Sequence, residues 1–156
     1  MSEHDSFHVN ASPATKIGKG IFHTNLIVRD VAKSQNFYMK LFGMQKLDFV
    51  DGELIFLTTP GRNDVLTINP EGGTYGYPGG CAEMAAREKI ENQVGVPGGV
   101  SHFGYMLPNL EEYERVIANV NSLGGRFIVR CDHGGAFSHT YFTDPDGYVI
   151  EIHHGG

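Results

Sequence analysis

The chain has 156 residues, a formal net charge of −6, 40% hydrophobic and 19% charged residues, which suits one globular domain with a real core. No run approaches the roughly 18–20 apolar residues of a membrane span, and the absence of a basic run argues against nucleic acid as a partner. The polar start MSEHDSFHVNASPATK lacks a basic-then-apolar signal pattern, so the expected location is the cytoplasm.

Residues 1–19 read as a flexible leader ending in KIGKG. IFHTNLIV (21–28) is a predicted strand, rich in β-branched and apolar residues. Asp30 can cap a helix over 30–42, in which Val31, Phe37, Tyr38 and Leu41 recur at helical spacing and Gly43 acts as the stop. Three predicted strands follow, MQKLDFV (44–50), ELIFLTT (53–59) and DVLTIN (64–69), separated by the turn signals DG and PGRN. Residues 70–99 form a long glycine-containing connector, within which CAEMAAREKIEN (81–92) has helical composition.

The same order then returns. VSHFGYML (100–107) is a predicted strand, and Asn109 with Glu112 forms a capping box for a helix over 110–123, ended by Gly124 and Gly125. RFIVRC (126–131), FSHTYFT (137–143) and YVIEIHH (148–154) are the remaining strands, the last two joined by the turn DPDG. Cys81 and Cys131 are distant and unpaired by any CxxC spacing, so neither a zinc knuckle nor a disulfide framework is suggested.

The chain is thus βαβββ (20–69), a connector, and βαβββ again (100–153). The expectation is an α+β fold of two such modules, whose curved mixed sheets surround a shared metal-binding cleft. An offset of 79 residues superposes His102 on His23 and Asn109 on Asp30. A lone histidine on an apolar strand is most often a core residue, but two at equivalent places point to a common purpose. Glu151 adds a carboxylate flanked by Ile150 and Ile152, costly there without a positive neighbour. His23, His102 and Glu151 are therefore the candidate metal ligands: two imidazoles and a carboxylate that leave coordination positions open for chemistry. A fourth ligand would fall in DVLTIN at Val65 or Thr67, depending on register, and neither is a good ligand.

The start HTNLIVRD, the segment FYMKLFGM and the run YFTDPDGYVIEI resemble the vicinal oxygen chelate superfamily over roughly residues 20–153. That group includes glyoxalase I, bleomycin-binding proteins, fosfomycin-modifying enzymes and extradiol dioxygenases. The resemblance implies a divalent metal, a small-molecule substrate and a homodimer. Glyoxalase-type members usually carry a fourth ligand, Glu or Gln, on the strand aligned with DVLTIN. Fosfomycin-modifying members use two histidines and one glutamate, together with cationic residues for the phosphonate.

His133, Tyr141, Asp144-Pro145-x-Gly147 and Glu151 fall at spacings compatible with the extradiol pattern, from which Thr140 and Cys131 depart. The leading expectation is accordingly an Fe(II)-dependent dioxygenase cleaving a catechol-like molecule, with Mn, Ni, Co and Zn also compatible with the ligands. The alternatives are a metal-dependent transferase or lyase of fosfomycin or glyoxalase type, and a non-catalytic drug- or metabolite-binding module. His133, Tyr141 and His139 are the candidate catalytic residues, for proton transfer and for hydrogen bonding to a substrate oxygen. His153 shares the strand face of Glu151 and is expected to support it or face solvent, whereas His154, on the opposite face, is expected to be exposed. The connector, with Tyr75 and Tyr77, is a candidate lid or dimer contact.

Overall fold

Local rules place the elements where the duplicated pattern puts them. The computed structural model describes residues 21–48, 54–72, 89–95, 100–132 and 138–154. His133, the leader through residue 20, and Tyr75 and Tyr77 of the connector lie outside the described residues. The first module comprises β1 (His23–Val28), α1 (Val31–Phe42), β2 (Gln45–Lys46), β3 (Ile55–Thr58) and β4 (Val65–Pro70). The second comprises β5 (Phe103–Leu107), α2 (Leu110–Asn119), β6 (Arg126–Asp132), β7 (Ser138–Thr143) and β8 (Val149–His154).

Each module forms a four-stranded mixed sheet, ordered β1-β4-β3-β2 and β5-β8-β7-β6. The outer strand β1 runs parallel to β4, as β5 does to β8, and the remaining pairs are antiparallel. Helix formation between the first two strands makes the parallel crossover possible. Among the described residues no ladder joins the two sheets, and neither closes on itself.

The helix boundaries follow their caps. Asp30 accepts from the Lys33 backbone N–H at 2.9 Å, and Gly43 ends α1 in the left-handed region at φ 67°. Asn109 accepts from Glu112 N–H at 2.9 Å, but the Glu112 carboxylate turns to Arg115 Nε at 2.7 Å, so only one half of the expected capping box forms. Helix α2 stops at Asn119 rather than 123; the chain tightens into a 3₁₀ turn at Asn121–Leu123 before Gly124 at φ 93°. The strand expected over 44–50 is limited to Gln45–Lys46 among the described residues. Of the helix expected over 81–92, residues 81–88 lie outside the description, and Ile90–Asn92 is a single 3₁₀ turn.

One core serves both modules. Phe37, Tyr38 and Leu41 of α1 are fully buried with Tyr113 and Val116 of α2, Leu57 and Ile68 of the first sheet, and Phe142, Ile150 and Ile152 of the second. Burial on this scale is the main source of stability, at roughly 1.5–3 kcal/mol per large apolar side chain. Polar ties cross the same boundary. Tyr38 Oη donates to Asp144 Oδ2 at 2.8 Å, Tyr148 Oη to the Ile27 carbonyl at 2.9 Å, and Arg115 Nη2 to the Leu41 carbonyl at 2.8 Å. The DPDG turn is built by Asp144 Oδ1, which accepts from the backbone N–H groups of Asp146, Gly147 and Tyr148 at 2.9–3.0 Å. With their apolar sides committed to this core, the sheets are left to present polar side chains on their other faces.

Candidate metal centre

Strand alternation decides which residues of the second sheet meet. Ile150 and Ile152 of β8 are fully buried, so Glu151 and His153 project from the opposite face. Tyr141 stands directly across from Glu151, and His139 across from His153, on the neighbouring antiparallel strand β7. On the other side, Gly104 of β5 is the partner of Glu151. A Cβ there would come within 3.2 Å of the Glu151 carbonyl oxygen, so glycine permits the close approach. His102, just before β5, reaches over this gap, and its Nε2 lies 3.0 Å from Glu151 Oε2. Ser101 Oγ, 3.0 Å from His102 Nδ1, holds the ring from behind.

Glu151 is the hub. Its other oxygen, Oε1, accepts from Tyr141 Oη at 2.9 Å and faces His153 Nε2 at 3.0 Å. Partial burial works against the charge of Glu151. The Tyr141 hydrogen bond and the nearby His153, His102 and His139 outweigh that and hold its pKa below the usual glutamate value. The same hydrogen bond, with burial and the carboxylate charge, pushes the Tyr141 hydroxyl up. The carboxylate therefore stays ionised and the phenol stays a donor. The rings of His102 and His139 lie edge-on to Tyr141, with centroids 5.2 and 5.3 Å away. An ionised carboxylate ringed by imidazoles is the oxygen–nitrogen donor set that divalent transition metals favour.

His23 sits elsewhere. It opens β1 on the first sheet, and its Nε2 is 2.7 Å from Thr67 Oγ1. The register pairs Asn25 with Thr67, as Gly104 pairs with Glu151. Thr67, rather than Val65, is thus the first-module counterpart of Glu151. The structure accordingly brings His102, Tyr141, His139 and Glu151 together on one sheet, and places His23 at the equivalent point of the other.

The two histidines that end β8 both make contacts, the first as expected and the second not. His153 touches the Glu151 carboxylate directly, and the signal for it was the two-residue spacing along β8. His154 is half-buried rather than exposed, its ring 5.1 Å from that of Tyr113. Thr140, out of place in an extradiol pattern, is buried on the core side of β7, where Tyr113 Oη bonds its hydroxyl at 2.6 Å.

Paired βαβββ modules, the second with a histidine-ringed carboxylate on its sheet, define the class of fold. The chain belongs to the glyoxalase/bleomycin resistance protein/dioxygenase superfamily, whose family model matches residues 20–152. Among curated proteins it is 28% identical to a lactoylglutathione lyase of Pseudomonas aeruginosa, over 83% of this chain and 79% of the relative. It is 29% identical to a lactoylglutathione lyase of Schizosaccharomyces pombe, again over 83% of this chain but only 45% of that longer protein. Among solved structures, the fosfomycin resistance protein FosX of Listeria monocytogenes superposes with a TM-score of 0.64 at 18% identity, covering 90% of this chain and 96% of that one. A lactoylglutathione lyase of Agrobacterium tumefaciens superposes with a TM-score of 0.59 at 17% identity, covering 90% and 96%. The two superpositions establish the shared fold.

Proposed function

We propose that the protein is a divalent-metal-dependent lyase acting on a small molecule with two adjacent oxygens, most directly a glutathione adduct. The observation that supports this best is the kinship with two lactoylglutathione lyases across 83% of the chain. This reading replaces the Fe(II) dioxygenase as the first choice. The DPDG and tyrosine features that suggested ring cleavage have other uses here: Asp144 organises its turn and Tyr141 holds Glu151.

His23, His102 and Glu151 are the residues we assign to the cation, which when bound supplies Lewis acidity toward the two substrate oxygens and so weakens an adjacent C–H bond. Glu151, ionised in the metal-free protein, is the group in place to take that proton once the substrate oxygens displace it from the cation. Tyr141, kept protonated by its raised pKa, donates its one O–H to Glu151, and can turn it to the oxygen on which negative charge develops once Glu151 takes up the proton. Because His23 and the Glu151 cluster stand on different sheets, we place the complete site in a homodimer, with His23 of one copy beside His102 and Glu151 of the other. The edges of β1 and β5, unpaired among the described residues and flanked by exposed Ile21, Phe22 and Val100, are the surfaces we assign to that pairing.

A second reading, a fosfomycin-type transferase, draws on Thr67, since that branch uses two histidines and one glutamate without a fourth ligand. One set of assays separates the readings. Protein loaded with Zn, Ni, Co, Mn or anaerobically with Fe(II) is offered glutathione premixed with a 2-oxoaldehyde, fosfomycin with glutathione, and a catechol panel with dioxygen. Cation-dependent change in thioester absorbance, abolished in Glu151→Gln, is the expected result. Fosfomycin consumption alone would move the transferase to first place. Catechol-dependent oxygen uptake without thioester turnover would restore the dioxygenase.

A further inference from the structure

The carboxylate of Glu151 is shared between two sides. Oε2 faces His102, whereas Oε1 faces His153 Nε2 at 3.0 Å. His139 stands opposite His153 on β7, their ring centroids 5.5 Å apart. One ligand atom each from His139, Glu151 and His153 lie within 4.8 Å of one another. Ligands on a common ion at about 2.0–2.2 Å stand roughly 3–3.5 Å apart. The His153–Glu151 pair already meets that spacing, and His139 stands within 4.8 Å of both.

We infer that β7 and β8 carry a second divalent-cation site, formed by His139, His153 and Glu151, with the carboxylate bridging to the ion held beside His102. Two imidazoles and a carboxylate favour Zn, Co or Ni over Ca or Mg, which prefer all-oxygen shells. All three residues belong to one chain and two adjacent strands, so this site needs no partner subunit and no movement of His23. It is accessible: the His153 side chain is 32% exposed. A bridging carboxylate sets two ions about 3.5–4 Å apart, the spacing at which paired ions clamp both oxygens of one substrate. Occupancy would also draw Oε1 away from Tyr141, freeing the hydroxyl to donate to substrate. His139 is then a ligand in place of the proton carrier expected from the sequence. The site shares Glu151 with the proposed triad but does not depend on the lyase reading.

The test is titration of the chelator-stripped full-length protein with Zn²⁺ by calorimetry and with Co²⁺ by visible absorption. Wild type should take two equivalents per chain. His139→Gln/His153→Gln should lose one and keep one, and His23→Gln/His102→Gln should keep the one held on β7 and β8. A single equivalent that survives His23→Gln/His102→Gln but not His139→Gln/His153→Gln would uphold this site and remove the triad, so the two assignments fail separately. Unaltered binding in His139→Gln/His153→Gln, or complete loss in His23→Gln/His102→Gln, overturns the inference. Wild-type protein offers a check that needs no variant: spin coupling on adding the second equivalent of Mn²⁺ or Co²⁺. Two equivalents without coupling would overturn the bridge.

Discussion

Thr67 on β4 and Glu151 on β8 occupy the same place in the two modules, and each contacts the histidine that its module places near the start of its first strand. Thr67 Oγ1 lies 2.7 Å from His23 Nε2, and Glu151 Oε2 lies 3.0 Å from His102 Nε2. The duplicated unit has kept the geometry and varied the donor: one module offers a charged oxygen, the other a neutral hydroxyl.

Thr67→Glu should therefore supply a fourth ligand beside His23. Thr67 is buried, so the metal-free variant carries an uncompensated carboxylate and should lose roughly 1–3 kcal/mol of stability. Divalent cation should restore the loss by mass action, and cation affinity should rise on the order of tenfold, about 1.4 kcal/mol. Thermal unfolding with and without Zn²⁺ and a competition titration measure both. Unchanged affinity would remove His23 from the cation site.

Glu151→Gln should bring the Tyr141 hydroxyl back toward an ordinary tyrosine pKa, because the carboxylate hydrogen bond is the foremost cause of its rise. A ¹³C-tyrosine NMR titration reads this directly. In metal-free protein Glu151 has a lowered folded pKa, so its stabilising contribution is present above the ordinary carboxyl value near 4.3 and is lost as pH falls through the folded value. Wild type should accordingly lose stability relative to Glu151→Gln on acidification below about pH 5. Parallel curves for the two proteins would contradict the assignment.

Asp144→Ala would leave the backbone N–H groups of Asp146 and Tyr148 and the Tyr38 hydroxyl without their acceptor, while Gly147 N–H keeps the Asp144 carbonyl. At about 1–3 kcal/mol per buried orphan, the loss should be roughly 3 kcal/mol or more, read by urea unfolding. Asp144→Asn should cost only about 1 kcal/mol because one oxygen still serves the backbone N–H groups of the turn. Burial, the leading cause, raises the Asp144 pKa. Its contribution is therefore complete below the unfolded pKa and lost as pH rises through the folded one, so the gap between wild type and Asp144→Asn should shrink with rising pH.

Gly125→Ala should be among the most damaging of small substitutions. The added Cβ would collide with the Thr143 carbonyl oxygen and meet Phe37 Cε2 at 2.9 Å and Val120 Cγ1 at 3.0 Å. Overpacking of this kind costs about 3 kcal/mol. The melting temperature should fall by several degrees while the cation stoichiometry of the folded protein stays unchanged. A wild-type melting curve would show that β6 can shift away from the core.

The duplication, the helix caps and the turns were legible in the sequence because each rests on contacts between residues near in the chain. Asp30 needs only Lys33, Asn109 only Glu112, and DPDG only its own backbone. Glu151 was legible as a candidate donor from its residue type and its place among histidines. Alternation turns it away from the core face of Ile150 and Ile152, so the expected cost of burial there does not apply. The identity of its neighbours was not legible. His153, His139 and Tyr141 reach Glu151 through the pairing of β7 with β8, and His102 through the pairing of β5 with β8. The choice between Val65 and Thr67 stayed open in the sequence because the offset between the modules grows from 79 residues at His23 and His102 to 84 at Thr67 and Glu151. Only hydrogen-bonded register absorbs such an insertion, since a shift of one residue turns every side chain of a strand to the other face. The amino-acid sequence alone thus determined the two modules, their caps and the candidate donors. Tertiary structure decided which donors share a carboxylate, because strand pairing, not distance along the chain, sets what each side chain can touch.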